Sequence, residues 1–262
     1  MSSNVMHVAK TGLNAQQMRI QVISNNLANV NSTGFKRDRA NFESLLYQTY
    51  RPAGAQTSEA TASTSPNNLG TGVRLVSTEK IHSQGTVTTS ENALDLAIEG
   101  NGFFQVLLPD GRIGYTRNGT FSQNAEGTVT TTSGYVLQPE IQIPQGALSI
   151  SISRDGIVSV VEPGGVGARE VGQITLAAFT NPRGLAPVGE TFLVETPASG
   201  APAVGAPLDD GLGDLMQGAL ETSNVNVVQE LVEMIEAQRA YEINSRSISA
   251  SDEMMSYLAN KL

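Results

Sequence analysis

Residues 4–30 read NVMHVAKTGLNAQQMRIQVISNNLANV. Met6, Ala9, Leu13, Gln16, Ile20, Ile23, Leu27 and Val30 recur at steps of three and four. That spacing predicts an amphipathic helix carrying a heptad seam with one polar member. At 1.5 Å of rise per residue the helix would be about 40 Å long. Ser2, Ser3 or Asn4 can cap its start, and Asn29, Asn31 and Gly34 supply stop signals.

The other end of the chain repeats the pattern. Val227, Leu231, Met234, Gln238, Tyr241, Ser245, Ile248, Asp252, Met255, Ala259 and Leu262 also step by three and four. Val228, Val232 and Ile235 widen the stripe at its start, and Ser223, Asn224 or Asn226 can cap it. Neither helix is expected to stand alone, because each exposes an apolar stripe that needs a partner. Coiled-coil pairing of the two ends and docking of each helix on a globular core both satisfy that need.

Between the ends the grammar changes to short apolar runs separated by turn residues. Gly102–Leu108 precedes Pro109-Asp110-Gly111, Ile113–Thr116 precedes Arg117-Asn118-Gly119, and Leu148–Ser153 precedes Asp155-Gly156. Gly134–Leu137, Ile157–Val161, Gln173–Phe179 and Thr191–Glu195 read as further strands. Asn-Gly and Asp-Gly between apolar runs are strong hairpin signals, so this region is expected to be antiparallel β. Two stretches stand apart. Arg51–Asn68 is rich in Ala, Ser and Thr and reads as a flexible loop or an extended hairpin. Thr196–Gly213, rich in Pro, Gly and Ala, reads as a linker.

The predicted fold is therefore α+β: long N- and C-terminal helices paired as an α-helical coiled-coil domain, with a central antiparallel all-β domain. The expected division places the paired helices at 1–34 and 225–262. A connecting region covers 35–75 and 205–224, with the hairpin or insertion at 47–68, and the β domain covers 76–204.

Composition narrows the function. The net charge of −9 disfavours nucleic acid, whose phosphates need a basic patch. Residues 1–45 carry a net +3 and residues 225–262 a net −3, which suits ends that associate. There is no cysteine, so disulfides and thiolate metal or redox sites are excluded. The start lacks the basic-then-apolar pattern of a secretory signal, and no run of about 18 apolar residues suggests a membrane span.

A search for chemistry finds no catalytic, metal or cofactor site. The two histidines, His7 and His82, have no third ligand at metal-site spacing and read as surface or packing residues. No Gly-x-Ser-x-Gly elbow and no phosphate-cradling glycine motif occurs. Acid pairs such as Asp209-Asp210, or Glu91 with Asp95, read as solvated surface. A cell-wall-directed hydrolase carried on the β domain is the enzymatic alternative to a self-assembling subunit.

Several stretches carry a family resemblance. Ile23–Arg37 (ISNNLANVNSTGFKR), with Asn25, Asn26, Asn29, Asn31, Thr33, Gly34 and Phe35, resembles the signature of the bacterial flagellar rod and hook family. Glu221–Val227 with Glu233–Glu242 resembles the family's other end, and Gly100–Val106 with Tyr115–Gly119 resembles its β-domain motifs. Tyr47–Ser58, including Gln48, Arg51, Pro52, Gly54 and Gln56, resembles an insertion typical of one rod subunit, whereas Glu59–Ser65 departs from the pattern.

The resemblance implies a non-enzymatic subunit of a rigid hollow shaft, with the hook and proximal rod subunits as the neighbouring alternatives. Its helices would line an inner tube, with Leu13, Ile20, Ile23, Leu27, Val30, Leu231, Met234, Ile235, Tyr241, Ile248 and Met255 as inter-helix residues. The insertion would stiffen the shaft. Implied partners are further copies, proximal rod proteins and the hook or hook-junction at the two ends. The peptidoglycan- and outer-membrane-ring bushing proteins would surround it, and the flagellar export apparatus would deliver it. The expected place is the basal body, in a rod crossing the periplasm, reached without a cleaved signal. No cofactor is implied.

Overall fold

A computed structural model describes residues 2–54, 56–58, 61–62, 64–163, 167–209 and 211–259. The chain divides into two compact units. One gathers Met1–Leu27, Asp38–Glu79 and Asn226–Leu262, and the other gathers Ala28–Arg37 and Lys80–Val225.

The first unit is built on two long helices, α1 (Ser2–Ala28) and α2 (Val227–Ala259). Asn226 caps α2: its Oδ1 accepts the N–H groups of Val228 at 3.0 Å and Gln229 at 3.3 Å. Such a cap contributes about 1 kcal/mol. Three contacts order the helices against each other. Asn26 bonds Glu230, Arg19 pairs with Glu233 at 3.6 Å, and a Cβ on Gly12 would lie 3.1 Å from the Asn244 amide. As the α1 position falls the α2 position rises, so the helices are antiparallel.

The same unit holds a long β ribbon. β1 (Asp38–Ser44) pairs with the last strand, β6 (Val73–Lys80), and β2 (Tyr47–Arg51) pairs with β5 (Asn67–Gly70). Nearer the tip, β3 (Gln56–Ser58) pairs with β4 (Thr61–Ala62). The described strands between Tyr47 and Gly70 pair antiparallel. Of the stretch expected as a loop or extended hairpin at 51–68, Ala55, Glu59, Ala60 and Ser63 lie outside the described residues.

The ribbon follows α1 back toward its start. Asp38 bonds Asn26, the Val73 amide donates to Thr11 Oγ1 at 3.3 Å, and Asn4 Nδ2 donates to Gln48 Oε1 at 3.2 Å. The lengths agree: 22 helical residues rise about 33 Å, and ten extended residues cover about the same.

The second unit is antiparallel β throughout its described pairings. It comprises β7 (Val87–Thr89), β8 (Leu96–Glu99), β9 (Phe104–Leu107), β10 (Ile113–Thr116), β11 (Phe121–Gln123), β12 (Val129–Thr131) and β13 (Val136–Gln138). These are followed by β14 (Ser149–Ile152), β15 (Ile157–Val161), β16 (Arg169–Gln173), β17 (Leu176–Ala178), β18 (Ala186–Gly189) and β19 (Phe192–Val194). The run closes with β20 (Ala203–Gly205), β21 (Asp214–Gln217) and β22 (Ala219–Glu221).

The main sheet has the order β11-β12-β13-β9-β10-β19-β18. Inward residues such as Phe104, Val106, Phe121, Leu137 and Ile141 fill one core, where Phe104 and Phe121 meet edge to face at 5.1 Å. The turn dipeptides end the strands where expected, and β10 and β15 span the anticipated residues. The stretch 205–224 differs from a connector. It contributes β21 and β22, which pair with β8 and β7 and so belong to this unit.

Candidate assembly site

The first unit contains a polar tie where α1 ends. Asn26 is buried and its carboxamide meets three partners. Its Nδ2 donates to the Asp38 carbonyl at 2.9 Å and to Glu230 Oε2 at 3.2 Å, while its Oδ1 accepts the Asp38 N–H at 2.8 Å. Asn25, exposed beside it, donates to Asp38 Oδ2 at 3.3 Å. One side chain therefore joins α1, α2 and the first ribbon strand.

Along α2 the buried positions are Glu230, Ala237 and Ser251, with Asn244 half-buried between the last two. These lie seven residues apart, in one row. Small and polar side chains at that row let the helices approach closely. Met234 and Ile248 are half-buried, whereas Leu231, Ile235, Tyr241 and Met255 are exposed. Exposed Val228 and Val232 continue that apolar strip, Val228 being 71% exposed. On α1, Ile23 is buried and Leu13, Ile20 and Leu27 are half-buried.

The ribbon is also bare. Every residue of β2 is exposed, and Leu46 is 89% exposed. Tyr47, Gln48, Arg51, Pro52 and Gly54 all face solvent, and Gln56 lies in β3 with a side chain outside the described set. Phe42, Leu69 and Val76 add exposed apolar surface.

In the second unit the rest of the Asn-rich motif builds a charged node. Val30 is half-buried, Asn31 is exposed, Thr33 is half-buried, and Asn29 Oδ1 accepts the Ser32 hydroxyl at 3.1 Å. Gly34 has φ +68° and donates its N–H to the Glu221 carbonyl at 2.8 Å. A Cβ there would sit 2.4 Å from the Asn118 nitrogen, so only glycine fits. Phe35 is buried under the Lys80 ammonium, 5.1 Å above its ring.

Next in the chain, Lys36 Nζ contacts Glu221 Oε1 at 2.5 Å and the Ser83 carbonyl at 2.8 Å. Glu221, fully buried, also accepts the Gly85 N–H at 2.8 Å and Arg117 Nη1 at 3.4 Å. Burial pushes Lys36 and Arg117 below their ordinary ranges, with Glu221 opposing the shift in both. His82 lies against the same cations, and burial first, then Lys36 and Arg117, lowers its imidazole to about 4.

Sequence reading singled out the apolar strips and the Asn-rich motif. It missed Glu230, Ala237, Asn244 and Ser251, whose seven-residue spacing was the available signal. It did not single out the Lys36–Glu221–Arg117 node, although each of the three lies inside a quoted motif, Ile23–Arg37, Glu221–Val227 and Tyr115–Gly119. Among the described residues no group of His, Asp or Glu could hold a metal ion, and no helix is long and apolar enough to cross a membrane.

What the described residues offer is bare apolar surface on the first unit and a buried charged node in the second, with no catalytic constellation beside either. Three family descriptions match the chain. Residues 6–36 match "Flagella basal body rod protein", 97–160 match "Flagellar hook protein FlgE/F/G D1 domain", and 216–262 match "Flagellar basal body rod FlgEFG protein C-terminal". The chain belongs to this flagellar basal-body rod and hook family. It is 52% identical over 252 residues to the flagellar basal-body rod protein FlgG of Buchnera aphidicola from Acyrthosiphon pisum, covering 96% of this chain and 97% of the relative. The FlgG of Caulobacter vibrioides is 46% identical, over 95% of this chain and 96% of the relative. That of Bacillus subtilis is 40% identical with the same coverages. The protein is a structural subunit of the flagellar distal rod, located at the basal body, and not an enzyme.

Proposed function

We propose that the chain polymerises helically through its first unit into the hollow distal shaft, which carries torque from motor to hook and conducts exported subunits. The observation that carries this reading is the bare apolar strip of α2, Val228, Leu231, Val232 and Ile235, on a helix whose small-residue row already faces α1. A strip of that kind needs a further copy to leave water. Packed against a different face of the next copy, the strip makes a heterologous contact, which propagates as an open helix. Leu13, Ile20, Ile23, Leu27 and Val30 with Met234, Tyr241, Ile248 and Met255 complete a coiled-coil-like inner tube. Ala9, Gly12, Ala15 and Ala28 permit close helix approach.

In this reading the neighbours are proximal rod proteins at one end and the hook or hook-junction at the other. The peptidoglycan- and outer-membrane-ring proteins surround the shaft across the periplasm, and the flagellar export apparatus delivers each subunit. The 47–68 ribbon stiffens the polymer through Tyr47, Gln48, Arg51, Pro52, Gly54 and Gln56. Deleting 51–64 should then give a pliant rod.

Leu231→Asp and Ile235→Asp test the interface. Both side chains are exposed in the single chain, so the folded subunit should keep its stability within about 0.5 kcal/mol. Polymer should nonetheless be lost, because a carboxylate buried without a partner costs several kcal/mol. Rods of normal length from both variants, seen in isolated basal bodies, would sink the assignment.

A further inference from the structure

The second unit bears a groove that its fold does not need. It has a volume of about 340 Å³ and is lined by Leu108, Pro109, Tyr135, Val188 and Phe192, with Glu190 on its rim. Tyr135 and Phe192 meet edge to face at 5.3 Å and form an aromatic wall, while Val188 is half exposed.

The rim carboxylate is held out by an unusual backbone. Glu190 and Thr191 adopt φ +47° and +67° in succession, a left-handed pair that β-branched threonine disfavours. Ser133 Oγ donates to Glu190 Oε2 at 2.6 Å and fixes the carboxylate. The other acid at the groove, Asp110, is neutralised by Arg112 at 2.5 Å. Glu190 therefore sets the sign of the rim.

The ribbon offers the complement. Tyr50 is 56% exposed; within its own chain its hydroxyl accepts a long hydrogen bond from Asn4 Nδ2 at 3.5 Å, and more than half of the side chain still faces solvent. Arg51, beside it, is exposed on a strand whose five residues all face solvent. An aromatic ring next to a guanidinium matches an apolar groove with one carboxylate at its edge.

We propose that this groove receives Tyr50 of a second copy, with Arg51 of that copy paired to Glu190. The inference rests on the self-assembly reading and gives the ribbon a receptor on the β-rich unit of its neighbour. The ribbon would then couple subunits at a surface separate from the α2 strip.

The cysteine-free chain makes the test direct. Thr49→Cys with Val188→Cys, which keeps the Tyr50 ring, should give a ladder of disulfide-linked multimers on non-reducing gels of basal bodies under mild oxidation. Thr49→Cys with Leu148→Cys, a control at another exposed site, should give none. Arg51→Glu or Glu190→Arg should each lower the cross-linked fraction roughly fivefold or more, as expected for a broken and like-charged rim pair. The two together should restore it. Rods that form normally yet give no ladder, a ladder equal to the control, or a disulfide confined within single chains would overturn the groove proposal and leave self-assembly standing. Failure of the cysteine-free chain to form rods under any condition would instead remove the assembly reading, and the groove proposal with it.

Discussion

Asn26 and Glu230 lie 204 residues apart and share a buried hydrogen bond of 3.2 Å, Asn26 donating and Glu230 accepting. The same asparagine both donates to and accepts from the Asp38 backbone. Aspartate at this position could supply no donor and would set a second carboxylate against Glu230. Asn26→Asp should therefore cost about 3–5 kcal/mol, and Asn26→Ala about 1–3 kcal/mol. Urea unfolding followed by helical circular dichroism checks both. Equal losses would show that the Glu230 charge is not felt at this site.

Glu221 is the only carboxylate that the described contacts place against both Lys36 and Arg117. Glu221→Gln keeps the shape and leaves two buried cations without their counter-charge. A loss of about 3–5 kcal/mol is expected, and Lys36→Met added to it should recover part of that loss. With six tyrosines and no tryptophan, tyrosine fluorescence during denaturation reports on it.

His82 gives the second unit an acid limit. Its imidazole is lowered to about 4 by burial, by Lys36 and Arg117, and to a smaller degree by Lys80, against a backbone hydrogen bond at Pro182. Between its ordinary value of 6.5 and about 4, the unfolded chain binds a proton that the folded chain refuses. Stability should fall as pH drops through that window, by about 3 kcal/mol in total, and this group should add nothing below it. Melting curves from pH 7 to 4 should show the slope, and His82→Gln should flatten it.

Gly34→Ala should be costly for two reasons that add. The residue is left-handed, and the new methyl would meet the Asn118 backbone at 2.4 Å. A loss of at least about 2 kcal/mol is expected, because backbone must move to relieve the overlap. A thermal midpoint unchanged within error would contradict the geometry.

The parts of the fold that were legible in sequence are those set by near neighbours. Asn118-Gly119 and Asp155-Gly156 mark turns because their conformations are local, so β10, β14 and β15 were readable. The helix at each end followed from spacing alone. What stayed hidden depends on distant partners. β21 pairs with β8 across more than a hundred residues, and no local rule sets that register.

On α2 the apolar residues drew attention, yet the row that faces inward is Glu230, Ala237, Asn244 and Ser251. There, close approach outweighed hydrophobicity. Leu231 and Ile235, expected in the seam, are exposed in the single chain.

The first unit is assembled from three separated pieces of chain, the last of them beginning at Asn226. During synthesis, α1 and the ribbon emerge long before the helix they need, while the β-rich unit can complete itself once Val225 is out. The unit built on the two helices is therefore the later of the two to close. A growing or truncated chain that stops short of Asn226 lacks the Glu230 side of the tie, and α1 and the ribbon stay without the helix that joins them.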